Sequence, residues 1–168
     1  MKLLVTGTPG TGKTAVSMAI AKHFGLELIN EKEFAQKNRV GKWNSKEKVL
    51  EINPKVLEKK LNLAILKKNG VLAEGHLLCE TKLNVDFAVL LHTDPAVLEK
   101  RLKKRGYITL KVFDNIFSEQ SGYCKKQLCK RYSGAKIIEI DSSKNLKETA
   151  SKLIKEIKKR LAPFTSRT

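Results

Sequence analysis

Nowhere does this chain approach the ~20 consecutive apolar residues that a bilayer crossing demands, so no spanning helix is expected. Cysteine is scarce. The three present, Cys79, Cys124 and Cys129, form an odd set without a CxxC pair, which excludes a disulfide framework and suits a reducing, cytoplasmic setting. Aromatic residues make up only 6% and are not regularly interleaved with the basic segments, which argues against a stacking-type binder of single-stranded RNA. Acid is the largest deficit: 17 Asp+Glu face 34 Lys+Arg in 168 residues, a formal net charge of +17. A hydrophobic share of 41% nevertheless excludes a disordered polyelectrolyte. The length suits a single domain with a real core, expected over residues 1–168. Leu3-Leu4-Val5, followed at once by Thr6-Gly7, is too short for the apolar region of a secretory signal.

The positive charge is unevenly spread. Residues 99–136 hold eleven Lys/Arg against three acids, and residues 144–168 hold eight against two. The first cluster suits a nucleotide's phosphates, whereas a small nucleotide has no need of the second. Lys152, Lys155, Lys158, Lys159 and Arg160 read either as a solvated helix face packed by Leu153, Ile154 and Ile157, or as a contact for rRNA or a ribonucleoprotein.

Apolar runs and helical periodicity alternate along the chain. Strands are expected at 2–6, 26–29, 71–74, 85–91 and 136–140, the first being a short buried run ended by glycine. Helices are expected over 13–24, from the cap Asn30 to about Gln36, from Pro54 to about Lys68, from Asp94-Pro95 to near Gly106, over 115–131 and over 145–161. Residues 40–53 read as a loop or small hairpin, 107–114 as a mobile loop, and the tail from Pro163 as frayed. Such alternation predicts an α/β fold with a parallel sheet covered on both faces.

Gly7-Thr8-Pro9-Gly10-Thr11-Gly12-Lys13-Thr14 matches GxxxxGK[ST] in full, between a buried strand and a helix. The glycines let successive backbone N–H groups converge on one anion, and the helix N-terminus adds its dipole. Lys13 would bridge terminal phosphates and the Thr14 hydroxyl would hold Mg²⁺. Arg101 and Arg105 lie four apart, hence on one helical face, and a glycine follows. They read as a lid pair that neutralises a transferring phosphoryl group, or as a solvated basic face. Trp43, in a polar loop, could stack on a base or on a protein partner.

Taken together, GTPGTGKT at 7–14, Glu74-Gly75-His76, Arg105-Gly106-Tyr107 and Asp114-Asn115-Ile116 with Glu119 resemble the archaeal–eukaryotic adenylate-kinase-like ATPases of small-ribosomal-subunit maturation. The resemblance covers about residues 1–160. It implies a three-layer α/β/α P-loop NTPase fold of the nucleoside-monophosphate-kinase kind, with a five-stranded parallel sheet. ATP would be bound by Gly10, Thr11, Gly12, Lys13, Thr14, Ala15 and Arg105. The acceptor segment would fall at about 33–53 and the lid at about 104–114. It further implies phosphoryl transfer from Mg-ATP to AMP or water during 16S-type rRNA processing, with the small-subunit ribosomal protein uS11 as a partner. Metabolic adenylate kinases carry Asp-Gly-Phe-Pro-Arg after the third strand, where this chain has Glu74-Gly75-His76-Leu77-Leu78. Arg39 is then the only arginine in the acceptor segment, and reads either as a ligand of the acceptor phosphate or as an exposed charge. Glu74, ending a buried strand beside the phosphate loop, would hold Mg²⁺ with Thr14. His76 would donate to a phosphate or position an attacking water. Lys13, His76, Arg101 and Arg105 are thus the expected catalytic set. Two other readings stay open: a purely metabolic small-molecule kinase, and a nucleotide-gated binding module.

Overall fold

The computed structural model describes residues 1–45 and 49–165, with the backbone alone for Trp43, Val49, Leu50 and residues 163–165. Five strands form a parallel sheet: β1 (Lys2–Thr6), β2 (Glu27–Asn30), β5 (Val71–Glu74), β6 (Phe87–His92) and β7 (Ile137–Asp141). Their order is β2-β5-β1-β6-β7, and the first strand has β5 on one side and β6 on the other. Parallel strands require crossovers, and these place helices on both faces.

Alternate residues of each strand point to opposite faces. Leu3 and Val5 pack with Leu72, Val89 and Ile138 against α1 (Lys13–Phe24) and α7 (Leu146–Thr165), through Val16, Ile20, Leu153 and Ile157. Leu4, Ala73 and Ala88 face the other way, onto α3 (Pro54–Leu66) and α6 (Tyr123–Cys129), through Leu57, Leu61, Ile65 and Leu128. The three layers expected from the resemblance are present. Among the described residues, no helix is long and apolar enough to cross a membrane.

The remaining elements stand at the C-terminal ends of the strands. These are α2 (Glu31–Lys37), the antiparallel hairpin β3 (Lys42–Asn44) and β4 (Val49–Glu51), α4 (Pro95–Lys104) and α5 (Thr109–Gln120). Asn30 caps α2 by accepting from Glu33 N–H at 3.1 Å. Asp94 caps α4 by accepting from Ala96 and Val97 N–H at 2.9 and 3.2 Å.

Three expectations are corrected. Residues 109–114 are helix rather than loop, because Val112 and Ile116 form one face that packs on Leu98 and Leu102 of α4. The helix expected over 115–131 is two, broken at Ser121-Gly122, where Gly122 takes a left-handed φ of 63°. The backbone of α7 stays helical to Thr165, past the point where fraying was expected.

Candidate active site

The strand order reverses at β1, so a crevice opens at the C-terminal ends of β1, β5 and β2, and ligands of open α/β sheets bind in such crevices. The phosphate loop lines it. At Gly10, where φ is 97°, a Cβ would run into the side chains of Leu98 and Leu102. Only glycine therefore lets α4 press against the loop from behind. Gly12 precedes α1, and among the described residues no side chain caps that helix and no acid stands in its first turn. Its leading amide N–H groups and positive dipole end are left to an anion. Ser142 ties the loop to the end of β7, its hydroxyl 2.7 Å from the Thr11 carbonyl oxygen and 2.9 Å from that of His92.

Lys13 Nζ donates to the carbonyls of Gly7 and Thr8 at 2.9 and 3.1 Å, above the cradle. Burial lowers its pKa from the ordinary value. The Thr14 hydroxyl donates to Glu74 Oε1 at 3.1 Å, and the Asn30 side-chain amide donates to the same oxygen. Glu74 is 2% exposed and ends β5 in register with Asn30 at the end of β2. A hydroxyl and a buried carboxylate are hard oxygen donors, and the pair fits Mg²⁺.

His76 stands between two cavities. One, of about 140 Å³, is walled by Gly10, Gly12, Lys13, Thr14, Ala15 and Arg105. The other, of about 860 Å³, reaches from Lys13 and Glu74 to Glu31, Lys32, Ile52 and Tyr107. Thr6 Oγ1 and Cys79 Sγ donate to the His76 carbonyl at 3.4 and 3.2 Å, which fixes its backbone. Half of its side chain, 52%, is exposed. Burial of the rest and the Lys13 ammonium lower its pKa to about 4.

The structure thus brings Gly10, Gly12, Lys13, Thr14, Ala15, Glu74, His76 and Arg105 to one crevice, with Thr11 buried in the loop beneath it. It does not bring Arg101 there. The Arg101 guanidinium donates to the carbonyls of Ser142, Ser143 and Lys144 at 2.8, 3.4 and 3.2 Å, and so pins the loop after β7. Arg39 is exposed, at a φ of 51° after α2, and is absent from the described walls of both cavities. The Trp43 side chain and Lys46-Glu47-Lys48 lie outside the described residues. Sequence reasoning saw Asn30 only as a cap and missed Glu31 altogether. The signal available was their place at the C-terminal end of a parallel strand, where such folds put their sites.

A parallel sheet whose first strand turns through a glycine-rich anion cradle into a helix, with lysine, hydroxyl and carboxylate gathered at its mouth, defines a P-loop phosphotransferase. The sequence profile described as "AAA domain" matches residues 3–122. The chain is 30% identical over 162 residues to a protein of Methanocaldococcus jannaschii named "Putative adenylate kinase", covering 94% of this chain and 86% of that one. It is 28% identical to the "Adenylate kinase isoenzyme 6 homolog" of Schizosaccharomyces pombe, covering 90% and 86%. In fold it matches a gluconokinase from Sinorhizobium meliloti with a TM-score of 0.68 at 15% identity, covering 99% and 97% of the two chains. The chain belongs to the adenylate-kinase-like P-loop family.

Proposed function

We propose that this protein is a Mg-ATP-dependent nucleoside monophosphate kinase that also hydrolyses ATP, passing the terminal phosphoryl group to AMP or to water. The observation that carries the reading is the position of His76 between the phosphate cradle and the larger cavity, beside Lys13, Thr14 and Glu74. The α1 N-terminus and the loop amides would hold the phosphates of ATP, with Lys13 and Arg105 placed to offset charge spread over the transferring group. Magnesium held by Thr14 and Glu74 would neutralise phosphate charge. The larger cavity would take the acceptor.

The measurement is ADP formation from Mg-ATP, with and without AMP, using Lys13→Ala as the blank. AMP-dependent turnover above the blank supports the kinase. Turnover indifferent to AMP leaves an ATPase, and native turnover no greater than the blank rejects both.

The same reading extends to a cytoplasmic role in small-subunit 16S rRNA maturation, with uS11 as partner and rRNA touching the basic surface. It rests on the motif resemblance and on the charge beyond the nucleotide site. Retention of uS11 by the native chain in the presence of Mg-ATP, lost on adding a chelator, is the expected result; no retention under either condition rejects the partner.

A further inference from the structure

Glu31 takes no part in holding the phosphates of ATP or magnesium, yet its carboxyl group sits against His76 and is 3% exposed. Its two oxygens have different neighbours. Oε2 accepts from the Leu77 N–H at 2.8 Å, and Oε1 lies 3.4 Å from His76 Nδ1. The backbone at Gly75, just after β5, closes the third side, because a Cβ there would collide with this carboxylate. Lys13 and Glu74 are the other charged groups facing the pair from the phosphate loop and β5. With Nδ1 turned to Glu31, the opposite edge of the ring, Nε2, is free to face the cavities that His76 lines.

We infer that Glu31 is a positioning residue that holds His76 in the Nδ1–H tautomer, leaving Nε2 to take the proton of the water that attacks ATP. The inference rests on the ATPase and kinase reading above. A carboxylate can only accept, so it selects the tautomer whose Nδ1 carries hydrogen. In the step, the water oxygen bonds to the terminal phosphorus while the bond from that phosphorus to the bridging oxygen breaks. ADP leaves with the electron pair, and the water proton passes to Nε2. The imidazolium so formed is stabilised by the carboxylate behind it. A phosphate acceptor attacks through an oxygen already free of its proton, so transfer to AMP draws far less on the pair.

Glu31→Gln tests this at pH 8, above the value of about 7 to which burial raises the native acid. The Leu77 N–H claims the amide oxygen of the variant, which turns the amide NH₂ toward Nδ1 and leaves hydrogen on Nε2. Hydrolysis should lose about 100-fold in kcat, with KM for ATP little changed, while transfer to AMP falls much less. Nitrogen-15 spectra should show the Nδ1–H tautomer of His76 in the native chain and the Nε2–H tautomer in the variant. Equal loss of both activities overturns the inference, since a merely structural role would give that. So does an Nε2–H tautomer in the native chain, whether or not the variant folds. Native turnover no greater than that of Lys13→Ala instead rejects the ATPase and kinase reading itself.

Discussion

Burial raises Glu31 from its ordinary 4.5 to about 7, so between those values the folded chain keeps a proton that the unfolded chain has lost. Stability from this group therefore falls as pH rises through that window and is flat above it. The charge it carries above pH 7 costs on the order of 3 kcal/mol. His76 acts in the other sense: its folded value lies below its ordinary 6.5, so protonation favours the unfolded chain, and its contribution is lost as pH falls toward 4. In the native protein the two slopes oppose one another. Glu31→Gln removes the first and keeps the second, so the variant's stability relative to the native chain should improve steadily from pH 4.5 to 7 and then level off. Urea unfolding at pH 4.5, 6 and 8 measures it. A stability difference independent of pH would mean that Glu31 titrates as an ordinary surface acid.

At the scale of elements, α4 is the support on which the phosphate loop rests. Leu98 and Leu102 are fully buried and meet Gly10 on one side and Val112 and Ile116 of α5 on the other. Leu102→Ala removes atoms that both neighbours need, and should cost about 2–5 kcal/mol. In a chain of this length that lowers Tm on the order of 5–15 °C. It should also weaken ATP binding, because the loop loses its backing, and nucleotide titration of the folded variant checks this. Unchanged affinity would detach the loop's geometry from α4. The strands, the phosphate loop and the caps Asn30 and Asp94 were legible in the sequence because each is a local pattern. The start of α5 was not. Its inward Val112 and Ile116 alternate with exposed Leu110, Phe113 and Phe117, so the apolar residues run round the helix and hide its periodicity. Arg101 and Arg105 share a helical face in the sequence, yet only Arg105 reaches the cradle, because the carbonyls after β7 capture Arg101. Glu31 was invisible for a different reason. Its burial comes from Gly75 and Leu77, which only the pairing of β2 with β5 brings beside it.

Across the whole molecule the excess of basic over acidic residues outruns what one nucleotide site requires. Part of it lies along α7, where Lys152, Lys155, Lys159 and Arg160 border a groove of about 320 Å³ beside the edge strand β7. Two acids temper it. Glu156 pairs with Arg160 at 2.9 Å, and Glu139 with Lys125 at 2.9 Å. The three lysines are not in ion pairs among the described residues. A surface that contacts rRNA phosphates releases condensed counterions, and log K then falls linearly with log salt, by roughly 0.7–0.9 for each phosphate neutralised. A face that is merely solvated shows no such slope. If the proposed rRNA contact uses this groove, replacing Lys152, Lys155 and Lys159 by Gln should reduce the slope by about 2 and weaken binding at low salt. Adenine nucleotide turnover should stay as it was, since none of the three lysines lines either cavity at His76. Binding to a small-subunit rRNA fragment, titrated across several salt concentrations, separates the cases. A native slope near zero would make the excess charge a property of the solvated surface, and the role of the protein would then rest on the nucleotide site alone.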